Sequence, residues 1–250
     1  MTPTPPIETI HEDTELRLRW VPGSGNRLVV VFTGRHHTFG DQPADEFATS
    51  AHDGGANNVL FVSDLMQSWY SRPGLWPRIV RLVRGIAEIE GQGSVVTLGN
   101  SMGGFGALLL PRDMPVVRAI GFSAQVSMVQ RVIRDRRWPN ARRRLGRSPV
   151  INIRNTVART KTHYYLTAGR GAPLDMAHMA LMPRNARVRR WALPGAGHNI
   201  AKKLKESGVL MPAIHAMIDG DTATVETLYK SFQARQGPDP VIGAEGETVT

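Results

Sequence analysis

Apolar residues fall along this chain in short, β-branched runs broken by glycine, proline and polar residues. Seven runs read as strands: Leu16–Val21, Arg27–Thr33, Asn58–Ser63, Ser94–Leu98, Val117–Phe122, His163–Thr167 and Arg187–Leu193. "LVVVF" and "NVLFV" are nearly unbroken apolar runs, the pattern of strands covered on both faces. Pro22-Gly23-Ser24-Gly25-Asn26 separates the first two strands and reads as a hairpin turn.

Helical spacing appears between the later strands. Trp76–Glu90 places Ile79, Leu82, Val83, Ile86 and Ile89 on one stripe, with Pro77 in the first turn and Gly91 as the stop. Met102–Leu110 follows the fourth strand directly. Ser127 is placed to cap a short helix with Met128, Val129, Val132 and Ile133 on its apolar side. Asn199–Lys205, Leu210–Ile218 and Thr222–Gln236 close the pattern. Alternating strands and helices predict an α/β fold: a mostly parallel, doubly wound sheet of about seven strands, opened by an antiparallel hairpin, with helices on both faces. One domain over 14–236 is expected, with 1–13 and 237–250 unstructured because they lack periodicity. No run approaches about 18 apolar residues, so no membrane span is expected. The first residues form no apolar leader, and a cytoplasmic location is the default expectation.

Composition narrows the chemistry. The chain has no cysteine, which excludes disulfides, thiolate metal sites and a cysteine nucleophile. The net charge of +10 fits an anionic partner or an arginine-rich proteome equally well.

Candidate chemistry centres on Gly99-Asn100-Ser101-Met102-Gly103, a G-x-S-x-G string. A strand leads into it and a helix leads out, the context of a nucleophile elbow, where the serine occupies a sharp, strained turn. The competing reading is a glycine-rich turn that lets a helix pack closely on a strand. A serine nucleophile needs a base, expected after it in the chain. Of His163, His178, His198 and His215, only His198 lies in a glycine-rich loop past the last strand. His163 opens a strand at the wrong end of the sheet, and the other two fall in helical patterns. Between Asp135 and Glu206 the one carboxylate is Asp175. It would orient His198, or else serve as the N-cap of a helix starting at Met176. The backbone N–H of Met102 is one expected oxyanion donor. Arg35, then Gly34, is the choice for the second. His36 and His37 adjoin these residues, but no third ligand or cysteine supports a metal site. Trp69 and Tyr70, on the loop after the third strand, would line a substrate pocket or pack that loop over the core.

The string "GNSMGGFGAL" resembles the elbow of the α/β-hydrolase superfamily. It is similar to that of bacterial esterases related to esterase D and to the mycolyltransferases, where methionine also follows the serine. The resemblance spans about Arg27 to Lys205 and includes the strand end Phe32-Thr33-Gly34, Asp175 and His198. It implies a triad of Ser101, Asp175 and His198, Met102 in the oxyanion hole, no cofactor, and ester, thioester or amide cleavage through an acyl-enzyme. The "GRHHTFG" loop departs from the His-Gly pair common at this position. The segment 126–150 stands where the superfamily often carries a cap. It holds Arg131, Arg134, Arg136, Arg137, Arg142, Arg143, Arg144 and Arg147. Arg131, Arg134 and Arg137 read as a solvated helix face. Alternatively the cluster, including Arg142 and Arg143, attracts an anionic small-molecule or glycan ester. Its one aromatic, Trp138, and the lack of a reading module argue against nucleic acid. Acyl transfer to another acceptor by the same triad, or a non-catalytic basic interaction module, are the alternatives.

Overall fold

The computed structural model describes residues 6–35, 43–90, 93–139 and 153–236. Arg142, Arg143, Arg144, Arg147, His36, His37 and the tail 237–250 lie outside them. Eight strands form one sheet: β1 (Glu8–Glu12), β2 (Leu16–Val21), β3 (Arg27–Phe32), β4 (Asn58–Asp64), β5 (Ser94–Asn100), β6 (Arg118–Phe122), β7 (His163–Gly169) and β8 (Val188–Leu193). Their order is β1-β2-β4-β3-β5-β6-β7-β8. β2 pairs antiparallel with β1 and β4, and the remaining pairings are parallel. The helices are α1 (Ala48–His52), α2 (Leu75–Ile89), α3 (Met102–Leu109), α4 (Arg154–Val157), α5 (Pro173–Ala180), α6 (Ile200–Glu206), α7 (Leu210–Asp219) and α8 (Thr222–Gln236).

The unbroken apolar strands follow from this arrangement. Leu28, Val30 and Phe32 face a core shared with α2, α3 and α5, whereas Val29 and Val31 face one shared with α6, α7 and α8. Alternate residues of β3 thus enter opposite cores, and both sets are buried. On α2, Leu75, Trp76, Ile79, Val80 and Val83 carry the packing, while Ile89 is 83% exposed rather than part of the stripe.

Two expectations are corrected. Glu8–Glu12 form an edge strand, so the start of the chain is structured there. The β2–β3 hairpin does not form. β4 lies between those strands, and the Pro22–Asn26 segment crosses its end. Asn58 clips that crossing: Gly23 N–H donates to Asn58 Oδ1 at 2.9 Å, and Asn58 Nδ2 donates to the Gly25 carbonyl at 2.7 Å. The exchange places the apolar β3 in the sheet interior, with parallel neighbours on both sides. Among the described residues no helix is long and apolar enough to cross a membrane.

The β1–β2 turn is tied by Asp13. Its carboxylate accepts the N–H groups of Glu15 and Leu16 at 2.8 and 3.0 Å and pairs with Arg78. The Glu15 hydrogen bond, the largest influence, helps bring its pKa down to about 2. A depressed carboxylate contributes stability above its unfolded value and loses it as pH falls. Asp13→Asn should therefore melt at a lower temperature than the wild type at neutral pH. The gap should close as pH falls from about 4 to about 2. Thermal denaturation followed by circular dichroism across that range checks it.

Candidate active site

β5 delivers Ser101 to the C-terminal edge of the sheet. Ser101 has φ 53° and ψ −116°, a backbone conformation that side chains rarely adopt. The turn is held by its N–H, which donates to the Phe122 carbonyl at 2.8 Å. Glycine at 103 is required by close packing, since a Cβ there would lie 2.0 Å from the Phe32 carbonyl oxygen. The structure therefore contains the sharp strand-to-helix turn that the sequence pattern predicts.

Two loops bring partners to this serine. His198 sits between β8 and α6, and its Nε2 lies 3.1 Å from Ser101 Oγ. Asp175 follows β7, and its Oδ2 lies 2.6 Å from His198 Nδ1. Helix α5 begins at Pro173, so Asp175 falls in its first turn rather than at the N-cap, which Ala172 occupies. The carboxylate is buried and turned toward His198 instead. Burial raises the Asp175 pKa, but the hydrogen bond and charge of His198, followed by those of Arg137, outweigh it and hold the group low. Asp175 is thus an ionised acceptor at neutral pH. The His198 backbone is fixed as well: its carbonyl accepts the Ser123 hydroxyl at 2.7 Å. Ser123 has φ 44°, and its N–H donates to the Thr167 carbonyl at 2.8 Å. No sequence signal marked Ser123.

Met102 opens α3. The first N–H groups of a helix lack intrahelical acceptors, and the dipole there favours negative charge. Of the two strand-end candidates, Gly34 is corrected. Its N–H donates to Glu46 Oε2 at 2.9 Å, so that donor is already engaged. Burial raises the Glu46 pKa against the hydrogen bonds from Gly34 and Asn100. Arg35, three residues past β3, is exposed, with its Nε donating to Gln67 Oε1 at 2.8 Å.

Asp64 builds the loop that carries Trp69 and Tyr70. Its buried carboxylate accepts the N–H groups of Met66, Ser68 and Tyr70. Gln67, Trp69 and Tyr70 adopt φ of 51°, 52° and 55° around it. Burial still pushes the Asp64 pKa up despite these hydrogen bonds. Tyr70 is corrected from pocket to core: its hydroxyl donates to the Thr33 carbonyl at 2.7 Å, and its ring meets Phe32 edge-on. Trp69 is also fully buried, but beside the site. Its Nε1 donates to Gln125 Oε1 at 3.0 Å, and Gln125 Nε2 lies 3.5 Å from Ser101 Oγ. The Trp69 ring lies 5.1 Å from Trp138, which lies 6.2 Å from His198.

The segment after β6 departs furthest from expectation. Residues 128–133 form no helix, and Ser127 Oγ accepts the Val129 N–H in an irregular turn. Met128 and Ile133 are buried, whereas Val132 is exposed. Arg131, Arg134 and Arg136 are exposed, but Arg137 is not part of a solvated face. It turns inward between Asp135 and Asp175, with Nη1 2.7 Å from Asp175 Oδ1. Periodicity alone misassigned it, because the side chain answers to two buried carboxylates rather than to a helix. Ser101 itself is 8% exposed. Surface clefts of about 440 to 600 Å³ lie around α2 and Arg112–Val117, at the other edge of the sheet. Among the described residues, no group of three potential metal ligands comes together.

No family model and no curated protein matches the sequence. Solved structures do match the fold. A carboxylesterase of Nitrososphaera gargenis is similar at 12% identity and a TM-score of 0.55, over 87% of this chain and all of its own. The chain has the α/β-hydrolase fold. Within that fold, similarity extends to the capsule O-acetyltransferase of Neisseria meningitidis serogroup A. The match has 12% identity and a TM-score of 0.56, over 80% of this chain and 92% of that one. A chain of the glycosylation-associated Gap123 complex of Streptococcus agalactiae matches at 14% identity and a TM-score of 0.62. It is covered over 47% of its length, against 86% of this chain. At such identities the likeness concerns the fold alone.

Proposed function

We propose that this chain is a serine hydrolase of esterase type, working through an acyl-enzyme on Ser101. The observation that carries the reading is the line from Asp175 Oδ2 to His198 Nδ1 at 2.6 Å and from His198 Nε2 to Ser101 Oγ at 3.1 Å. A serine hydroxyl is a weak nucleophile until a base within hydrogen-bond reach takes its proton. His198 Nε2 accepts that proton as Oγ attacks the carbonyl carbon. The developing oxyanion is held by the Met102 N–H and, at the loop after β3, by the Arg35 N–H. The carbonyl re-forms, the leaving alkoxide takes the proton from Nε2, and water then repeats the sequence on the acyl-enzyme. Asp175 remains ionised and holds Nδ1–H, which keeps Nε2 as the accepting nitrogen.

Acyl transfer to a hydroxyl acceptor is the second reading. Two facts favour it: the nucleophile is nearly covered, and a protein of the same fold is an O-acetyltransferase of a capsule. The exposed Arg131, Arg134 and Arg136 fit an anionic or glycan-linked substrate.

A fluorophosphonate probe tests the nucleophile without knowledge of the substrate. The wild type should be labelled, with the adduct mapped to Ser101 by peptide mass spectrometry, and Ser101→Ala should not be labelled. A folded wild type that stays unlabelled would rule the reading out. Product analysis of an acetyl ester with and without added sugar acceptors then separates hydrolysis from transfer.

A further inference from the structure

Asp175 faces a second partner beside His198: its Oδ2 meets His198 Nδ1, and its Oδ1 meets Arg137. Arg137 spans two carboxylates: Nη1 donates to Asp175 Oδ1 at 2.7 Å, while Nε and Nη2 donate to Asp135 at 3.0 to 3.1 Å and 2.6 Å. Both carboxylates are fully buried. Its guanidinium carbon sits 4.4 Å from the centre of the Trp138 ring, within cation–π range. Asp135 is anchored in turn by His178 Nε2 at 3.1 Å. His178 Nδ1 accepts the Val126 N–H at 3.1 Å, so the proton of this neutral ring lies on Nε2 and points at Asp135. Burial would raise the Asp135 pKa, but the hydrogen bonds of His178 and Arg137 keep it well below the usual carboxylate range. Asp135 therefore stays charged and holds the cation in place.

We infer that Arg137 is a positioning residue for His198 and Asp175. It orients the Asp175 carboxylate toward Nδ1 and offsets the negative charge that would otherwise favour the protonated imidazole. The inference rests on the reading of Ser101 as nucleophile.

The charges around His198 make the sign definite. Asp175 on α5 faces Nδ1, the Arg137 cation lies 3.4 Å from the same atom, and Asp135 lies behind Arg137. Ser101 is uncharged, and His178 is neutral. With Arg137 present, two carboxylates and one cation leave a single net negative charge. Without it, two negative charges face the imidazole. The protonated ring is then favoured, and the free base, which activates Ser101, appears only at higher pH. Lysine restores the charge but not the fork, because one ammonium cannot hold both carboxylates in the plane.

The test is the rate of Ser101 labelling by a fluorophosphonate as a function of pH, for wild type, Arg137→Gln and Arg137→Lys. In Arg137→Gln the acid limb should move up by about one pH unit and the plateau rate should fall about tenfold. Arg137→Lys should recover most of the limb position while its plateau stays low. An acid limb unmoved in Arg137→Gln, or a lysine variant with the wild-type plateau, overturns the inference. If Arg137→Gln does not fold, the plateau of Arg137→Lys decides alone. A wild type not labelled at Ser101 overturns the nucleophile reading and this inference together, whereas a labelled wild type with unchanged variants overturns this inference only.

Discussion

Asp175→Asn should slow acylation of Ser101 about ten-thousand-fold at neutral pH. The loss follows from tautomer control. The present carboxylate only accepts, so His198 must carry its proton on Nδ1 and leave Nε2 open toward Ser101 Oγ. An asparagine amide turned toward Nδ1 donates instead, which moves the ring proton to Nε2 and blocks it from taking the serine proton. Arg137 sharpens the effect. It lies 2.7 Å from Asp175 Oδ1 as a donor, so it would hold the asparagine carbonyl on its own side and turn the NH2 group toward His198. The wild-type and Asp175→Asn labelling rates measure this directly, with circular dichroism confirming that both are folded. A loss below tenfold would mean that Asp175 does not govern the state of His198.

Gly103→Ala should cost about 3 kcal/mol of stability, the upper end for overpacking a tight contact. The new Cβ would sit 2.0 Å from the Phe32 oxygen, 2.8 Å from the Phe32 carbon and 2.9 Å from the Thr33 carbon. All three are backbone atoms at the end of a central strand, so no side chain can swing aside. The helix must move away from β3 and take the Met102 N–H with it. For a chain of this size the loss corresponds to a melting temperature lower by roughly 10 °C. Differential scanning calorimetry checks it. A shift of less than about 2 °C would mean that the helix yields without strain. The control is Gly85→Ala, on α2, where an added Cβ meets nothing within 4 Å.

The contrast between these positions shows what was legible in the chain. Strands such as Val29–Phe32 declare themselves because burial on both faces leaves no polar interruption. The elbow declares itself because only glycine fits the backbone contacts at 99 and 103. His198 and Asp175 were chosen by order and by elimination, which work when rivals are few, and the fold brings both side chains to Ser101. Strand neighbours were not legible. Nothing in Leu16–Val21 says that it will pair with β4 rather than β3, since that depends on Asn58 clipping the crossing. β1 escaped because four of its five residues are exposed and carry no apolar alternation. Arg137 was misread for a related reason. A charged side chain among arginines looks solvated until the fold brings Asp175, 38 residues away, against it.

The sheet ends in two differently defended borders. Along β1 the ladder is interrupted by an irregularity between Thr9 and His11, with Glu8 and Glu12 exposed. Along β8 the outer strand carries Arg189 and Arg190. Bulges and charged side chains are how native sheets refuse a further strand. A protein this rich in bare β-branched sequence would otherwise offer its flanks to neighbouring chains, and concentrated solutions would be expected to cloud. Resistance to such pairing would thus reside in a few polar residues at the rim of the sheet rather than in its apolar core.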